Sequence, residues 1–187
     1  MEVPAGGFPQ RSLIQRMIGA AMLDNSVYEE VEADRSATGQ AAAVVAIVAI
    51  CGAIGNYSHG SKGIIGGIIA AFLGWLIMAG LTYLIGTKLF NGTADMGEML
   101  RTLGFAQSPG VIAILGIIPF LGRLIVFVVA IWQLVTAIVA IRQALDFDTG
   151  KAIGTAVIAW VICWIAIAAM MAMILGTALA VGAVTGG

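Results

Sequence analysis

Three neighbouring residues, Thr149, Gly150 and Lys151, look like the end of a phosphate-binding loop. Such a loop follows the pattern Gly-x-x-x-x-Gly-Lys-Ser/Thr, because its glycines let backbone N–H groups surround a phosphate and its hydroxyl holds magnesium. Here the first glycine position is Leu145 and the hydroxyl position is Ala152, and helical sequence flanks the motif on both sides. We therefore predict no nucleotide site and interpret the segment as a hinge at the membrane edge, with Thr149 as a helix cap.

Two pairs of carboxylates are spaced closely enough to suggest general acid–base chemistry. Asp95 and Glu98 are three residues apart, and Asp146 and Asp148 are two apart. Each pair stands where a helix is predicted to begin, and acidic side chains are favoured there by the helix dipole. Glu98 can also pair with Arg101 on the next turn. We interpret both pairs as helix-start residues and predict that the protein is not an enzyme.

Composition indicates that these residues belong to a membrane protein. Of 187 residues, 60% are hydrophobic and 10% are charged, whereas a soluble domain has about 25% charged residues. The mean hydropathy is +1.04. We predict an all-α polytopic membrane bundle in contact with the lipid bilayer, because helices satisfy their own backbone hydrogen bonds in lipid. The net charge of −1 and the lack of a basic tract predict no nucleic-acid partner.

Cysteine and histidine usage predicts neither a metal site nor a disulfide framework. Cys51 and Cys163 both lie within apolar runs, where cysteine behaves as a small hydrophobic residue. The single histidine, His59, lies in a short polar turn with no cysteine or carboxylate beside it, and we interpret it as a solvated residue. We expect no cofactor. Gln15 and Arg16 interrupt the first apolar stretch, and we expect no cleaved signal peptide.

Five apolar segments form a predicted transmembrane domain of residues 41–187, since about 20 apolar residues cross a bilayer. Pro119, Gly122 and Arg123 divide the longest apolar run into a third and a fourth span. The third span is short, so a re-entrant hairpin is an alternative. We place the spans at about residues 41–55, 63–86 and 154–176, with two more within residues 109–141.

Residues 1–40 form a predicted cytoplasmic segment with its own amphipathic helix. The apolar residues between Leu13 and Met22 share a face opposite Gln15 and Arg16, and Ser12 with Gln15 suits a capping box. The pattern is typical of a helix that lies on a membrane surface. It fits equally a helix that packs on the protein's own bundle.

A second amphipathic surface helix is predicted between the second and third spans. Met96, Met99, Leu100 and Leu103 recur at helical spacing, and the helix is expected to end at Gly104. The following dipeptide, with serine at 108 and proline at 109, is expected to begin the third span as an N-cap and first-turn pair.

The distribution of lysine and arginine predicts the orientation. Cytoplasmic loops carry an excess of these residues, and five spans place seven of them on one side and two on the other. The N-terminus is therefore predicted to be cytoplasmic and the C-terminus external; a re-entrant third segment would reverse the C-terminus. The seven are Arg11, Arg16, Arg35, Lys88, Arg101, Arg142 and Lys151, and the two are Lys62 and Arg123.

One sustained acidic run offers a candidate partner-binding surface. Tyr28, Glu29, Glu30, Glu32 and Asp34 combine carboxylates with an aromatic anchor of the kind that is enriched at interfaces. The alternative is a solvated helix that keeps the N-terminal segment off the bilayer. Charge reversal distinguishes the two, because only a partner site loses binding.

Small residues recur along the second span. Gly66, Ala70 and Gly74 are four residues apart and form one smooth stripe, which permits close helix approach in a membrane. Packing inside the bundle is favoured, and a dimer seam is the alternative. Trp160 and Trp164 share a face of the fifth span, which suits contact with lipid or with the core.

Three stretches, in their order and spacing, resemble the YIP1 family of five-span membrane proteins: DNSVYEEVEAD, LFNGTADMGEMLRTLGFAQSPGV and IWQLVTAIVAIRQALDFDTGKAIGTAV. The resemblance covers roughly residues 12–176. It implies the five-span fold. Eukaryotic members bind prenylated Rab-type GTPases and help vesicle traffic. This chain lacks their Asp-Leu-Tyr-Gly-Pro-like element and their long N-terminal region, which suggests a prokaryotic member in the inner membrane.

These observations favour a non-catalytic membrane scaffold or adaptor that recruits a partner at the cytoplasmic face. A small accessory subunit of a larger membrane complex, held by helix packing with other membrane proteins or in an oligomer, is the alternative. A permease is the third hypothesis, and it is disfavoured because the spans contain few polar groups. These groups are Thr82, Arg123, Gln133 and Thr136.

Overall fold

The computed structural model describes residues 11–55 and 62–185, and every regular element within these ranges is a helix. A 3-10 helix, Ser108–Ile117, follows the fifth α-helix. The predicted all-α class is confirmed. His59 lies outside the described residues. The α-helices are α1 (Leu13–Ala21), α2 (Asn25–Ala33), α3 (Ala37–Gly55), α4 (Lys62–Leu89), α5 (Met96–Ala106), α6 (Gly122–Ala144) and α7 (Thr149–Thr185).

Five segments of the described chain are long and apolar enough to cross a membrane, which confirms the predicted number of spans. The third segment differs from the predicted third span, because it begins at Met96 and includes both α5 and the 3-10 helix. The five are Ala37–Gly55, Ile65–Leu89, Met96–Ile117, Gly122–Ala144 and Thr149–Ala166.

Helix α5 lies in the core, so the prediction of an amphipathic surface helix is wrong. The side of α5 away from its methionines carries Arg101 and Phe105, and both are buried, as is the small residue Gly104 beside them. A Cβ atom on Gly104 would lie 2.7 Å from that of Ala41 in α3, which means that the two backbones approach closely. A helix that can pack on every side is buried rather than amphipathic.

The junction between α5 and the 3-10 helix also differs from the prediction. Ser108 does not cap the next helix; its hydroxyl donates instead to the carbonyl of Phe105 at 2.6 Å. Pro109 does stand in the first turn of the 3-10 helix, as expected. The carbonyl of Gln107 accepts a bond from the Gly110 amide at 2.8 Å. The chain therefore continues from α5 into the 3-10 helix as one helical segment, and only the hydrogen-bond pattern changes between the two.

Helices α1 and α2 form a hairpin that packs on the bundle. The capping box predicted for Ser12 and Gln15 begins α1. Trp132, in the middle of α6, donates its indole N–H to the carbonyl of Ala21 at 2.8 Å. Arg16, which was expected on the outer polar face, is buried at 3% exposure. The apolar side chains of α1 point outward instead, at 67%, 59% and 72% exposure for Ile14, Ile18 and Met22.

Helix α1 was predicted either to lie on a membrane surface or to pack on the protein's own bundle, and its two faces are compatible with both. Its buried side packs on the protein's own helices, while its apolar side is available to lipid. Residues 11–34, which form this hairpin, contact the spans extensively. That residues 1–40 form a separate domain stays a prediction.

Among the side chains that the structure describes, the small-residue stripe of α4 makes no close contact at Gly66 or Gly74, and its packing inside the bundle stays a prediction. Gly66 and Ala70 are exposed, and a Cβ atom on Gly66 or Gly74 would meet nothing within 4 Å. The close glycine contacts occur elsewhere, as at Gly104. Association of the stripe with a helix of another chain stays a prediction.

Candidate functional site

A cleft of about 570 Å³ opens at one end of the bundle, and we call it the acidic cleft. Four segments that are distant in sequence build it: α2, α5, the end of α6 and the turn that follows α6. These segments belong to the predicted cytoplasmic side. The lining residues are Glu29, Glu32, Ala33, Glu98, Arg142, Gln143, Asp146 and Phe147.

Helix α2 positions the first two carboxylates by burying its other face. Asp24 caps the helix, since its carboxylate accepts the backbone N–H of Ser26 at 2.9 Å. Val27, Tyr28 and Val31 lie one turn or less apart and are fully buried against the core. The remaining face therefore points away from the core and carries the carboxylates that line the cleft.

Tyr28 is an internal contact rather than the exposed anchor that was predicted. Its hydroxyl donates to the carbonyl of Ala20 at 3.0 Å, with a longer contact of 3.4 Å to the carbonyl of Thr136. Burial raises the pKa of the phenol. A fully buried side chain offers nothing for a partner to touch, so Tyr28 is removed from the candidate site.

Glu30 and Asp34 are also committed inside the protein, to Arg16. The Arg16 guanidinium lies 2.9 Å from a carboxylate oxygen of Glu30 and 2.8 Å from one of Asp34. Arg11 contacts the other oxygen of Glu30 at 3.1 Å. Hydrogen bonds from Ser36 first, and then the Arg16 guanidinium, lower the pKa of Asp34 against the opposing effect of burial. Glu30 is 4% exposed, so it too is removed from the partner surface.

A second buried arginine fixes the other end of α2. Arg101 of α5 donates its Nε–H to the carbonyls of Val31 at 2.9 Å and Glu32 at 3.1 Å, and its Nη2 also contacts Glu32. A cation is favoured there, since the last carbonyls of a helix carry a partial negative charge. The predicted pairing of Arg101 with Glu98 is not what the structure has. Glu98 forms a capping box with Asp95 instead.

The turn after α6 closes the cleft. Asp146 has a positive φ of 53°, which aspartate tolerates better than most residues, and its carboxylate accepts the hydroxyl of Thr93 at 2.8 Å. Arg142 donates to the side chain of Asn25 at 2.9 Å, and Gln143 donates to Glu29 at 3.3 Å. Loop, turn and α2 are thus joined at one end, as the alternation of five spans requires.

Asp148, and not Thr149, caps the last helix. Its carboxylate accepts the backbone N–H of Lys151 at 3.0 Å, and the Lys151 ammonium lies 5.6 Å from the centre of the Phe147 ring. The Thr-Gly-Lys sequence is therefore the first turn of α7, as the flanking helices indicated. Asp95 and Asp148 thus both act as helix-start residues.

The carboxylates of the acidic cleft create a negative electrostatic potential, and this potential shifts the pKa of one of them. The pKa of Glu32 is raised to about 7, first by burial and then by the nearby charges of Glu98 and Asp146, with Arg101 partly opposing them. A carboxylate beside other carboxylates is harder to ionise because like charges repel. Such a field attracts cations and repels anions.

The cleft does not resemble a metal centre. Within the described ranges, no group of three or more His, Cys, Asp and Glu side chains could hold a metal ion. The chemistry that remains is recognition of positive charge, with Phe147 as an apolar contact at the edge. Sequence reasoning found Glu29 and Glu32 for this surface and missed Glu98, Arg142, Gln143 and Asp146. The sequence signal that could have grouped these residues is that their segments were all predicted to lie on the same side of the membrane.

Five helical segments that are long and apolar enough to cross a membrane, with no strand in the described residues, define an integral membrane protein. A family model for the Yip1 domain matches residues 24–170, and the chain accordingly belongs to the YIP1 family. The matched range runs from the cap of α2 into α7 and includes every residue of the acidic cleft. This family is in general one of non-enzymatic membrane proteins. No curated protein and no solved structure matches the chain.

Proposed function

We propose that this protein is a non-catalytic membrane scaffold or adaptor of a prokaryotic inner membrane, and that its acidic cleft recruits a partner at the cytoplasmic face. The observation that carries the proposal is the cleft itself, which four segments hold in place inside the region matched by the family. The excess of lysine and arginine on the same side supports the orientation.

The chemistry of the cleft favours a basic segment of a protein partner. Glu29 is exposed, while Glu32 is half-buried and close to Glu98 and Asp146. Carboxylates arranged around one opening provide complementarity to lysine or arginine, which directs binding and speeds association more than it adds affinity. The same charges repel the anionic headgroups of a membrane surface.

An accessory subunit is the second candidate, and one observation favours it. Gly66 and Ala70 of α4 face outward with open space around the glycine. Small exposed residues four apart let a helix of another membrane protein approach closely. On this proposal the chain co-purifies with its complex in fixed proportion.

Matched charge variants test the adaptor proposal. Glu29→Gln and Asp146→Asn each remove one negative charge inside the cleft. Gly39→Lys produces the same net change outside it, at an exposed position of α3 where a side chain meets nothing within 4 Å. Each protein is purified from native membranes in mild detergent, and the co-purifying proteins are quantified by mass spectrometry.

We expect both cleft variants to lose a partner severalfold while Gly39→Lys retains it. If all three variants retain the same partners in the same amounts, the adaptor proposal is wrong. Loss of a stoichiometric membrane partner in Ala70→Leu, with the cleft variants unaffected, would instead support the accessory subunit.

A further inference from the structure

A second cavity of about 350 Å³ lies among helices that are long and apolar enough to cross a membrane, and it is separate from the acidic cleft. Helices α4, α5, α6 and α7 all contribute to it, and we call it the inter-helix cavity. Its walls include Trp75 of α4, Leu103 of α5 and Leu134 of α6. Trp160 of α7 also lines it and is 47% exposed, so we infer an opening to the outside of the bundle beside this side chain.

Two glutamines line this otherwise apolar cavity in the middle of their spans. Gln133 is eleven residues from each end of α6, Gly122–Ala144. Gln107 is eleven residues from the beginning and ten from the end of the third span, Met96–Ile117. At about 1.5 Å per helical residue, Gln133 lies roughly 16 Å from either end of its helix. Lipid at this depth supplies no hydrogen-bond partners.

The hydrogen-bonding capacity of these amides is only partly used. Gln133 donates one bond, from Nε2 to the backbone carbonyl of Gln107 at 3.2 Å. Within the part of the chain that the structure describes, its Oε1 accepts no bond and the side-chain amide of Gln107 makes none. An amide has two N–H donors and an oxygen acceptor. Donors and acceptors without partners therefore line the cavity together.

A structural purpose for Gln133 explains only part of this arrangement. Its bond to the Gln107 carbonyl stabilises the change from α5 to the 3-10 helix. It does not explain why the Gln107 side chain is polar, nor why both amides adjoin one open cavity. A polar group placed at membrane depth is costly, and it usually marks a binding site or a pathway.

The composition of the cavity restricts the ligand. Its lining contains no charged side chain, so an ion entering it would lose its hydration without compensation. A hydroxyl both donates and accepts, as the two amides require together. The volume admits a headgroup and the first part of a chain, while the opening beside Trp160 lets the rest remain in lipid.

We propose that the inter-helix cavity binds an uncharged lipid with a free hydroxyl, of which diacylglycerol is the simplest type. The hydroxyl lies between the amides of Gln107 and Gln133, and the acyl chains leave past Trp160 into the bilayer. The site is independent of the acidic cleft and of any partner bound there.

Photo-crosslinking in lipid nanodiscs tests the proposal. The full chain is placed in phosphatidylcholine nanodiscs that contain a diacylglycerol with a diazirine at the ester end of its acyl chain, the part of the chain that the cavity admits. A parallel sample contains a phosphatidylcholine with the same diazirine at the same mole fraction. Crosslinked positions are mapped by mass spectrometry. We expect cavity residues to crosslink to the diacylglycerol at least threefold more than to the phosphatidylcholine, and unlabelled diacylglycerol to compete.

Three variants and one control assign the binding. Gln107→Leu removes an amide that makes no bond within the described chain, so it tests the ligand without disturbing the fold, whereas Gln133→Leu also removes the bond to Gln107. Both are expected to reduce the yield to that of phosphatidylcholine. Gly74→Leu fills the cavity and abolishes the crosslink. Gly66→Leu adds the same bulk in equally open space outside the cavity and changes nothing.

Equal yields for the two probes in the wild type would show that acyl chains alone enter, and the proposal would be overturned. It would equally be overturned if Gln107→Leu kept the full preference for diacylglycerol, or if Gly74→Leu and Gly66→Leu behaved alike.

Discussion

The buried pair of Arg16 and Glu30 gives the sharpest prediction about stability. The substitution Arg16→Met keeps the length of the side chain and removes its charge. It leaves Glu30, at 4% exposure, without the guanidinium that lies 2.9 Å away. It also removes the bonds that Arg16 makes to Asp34 at 2.8 Å and to Gln40 at 2.9 Å.

The magnitude follows from what remains around Glu30. Removing one partner of a buried ion pair costs about 3–5 kcal/mol when the other charge is left uncompensated. Arg11 still contacts the second oxygen of Glu30 at 3.1 Å, but it is 30% exposed and compensates only in part. We therefore expect Arg16→Met to cost about 3–4 kcal/mol, the lower part of that range. The double variant Arg16→Met with Glu30→Met should recover most of the loss, since buried pairs are often replaceable by apolar residues.

The assay is equilibrium unfolding in detergent, together with hydrogen exchange of the α1 and α2 amides. A double-mutant cycle separates the pair from the individual side chains. Arg35→Met is the control, because Arg35 is exposed at the same end of the bundle. A cost for Arg16→Met no greater than that for Arg35→Met would refute the reasoning. So would a double variant that is less stable than either single variant.

Three further predictions concern orientation, pH and nucleotide. Reporter fusions at Asn91 and Thr149 should report the cytoplasm and a C-terminal fusion the outside; a cytoplasmic C-terminus would contradict the orientation assigned from lysine and arginine. Because the pKa of Glu32 is raised from 4.5 to about 7 on folding, the folded state holds the proton more tightly, so its contribution to stability is lost as pH rises from about 4.5 through 7. Glu32→Gln should flatten that decline in unfolding measurements, and an unchanged pH profile would show that Glu32 does not titrate as inferred. Purified protein should not bind ATP or GTP saturably, and binding abolished by Lys151→Ala would disprove the helix-start interpretation.

Composition and local patterns were sufficient for the class of protein and for several helix ends. Apolar content predicts the number of spans but not the beginning of the third, and the capping box of Ser12 with Gln15 depends only on residues three apart. The same local reasoning failed for α5, where a methionine and leucine stripe suggested one packed face. The other side of α5, which carries Arg101 and Phe105, is buried as well. Gly104 lets α5 approach α3 closely, and that depends on the small residue Ala41 of α3.

The candidate site was less predictable because its contacts are distant in sequence. Glu29, Glu30 and Glu32 have the same side chain and lie in the same acidic run. Only the fold decides that Glu30 is buried against Arg16, 14 residues away. The cleft joins Glu29 to Gln143 across 114 residues. No local periodicity encodes such a pairing.

The same separation has a consequence for the order in which the protein is made. The α1–α2 hairpin rests on Trp132 and Thr136, which follow its own contact residues by 111 and 108 positions. At about 5–20 residues per second, synthesis of that intervening length takes roughly 5–20 s. The nascent hairpin has no α6 to dock on during this interval, while Ile14, Ile18 and Met22 already form an apolar face. Lipid and the insertion machinery are then the apolar surroundings within its reach, and the hairpin completes its docking after the fourth span has been made.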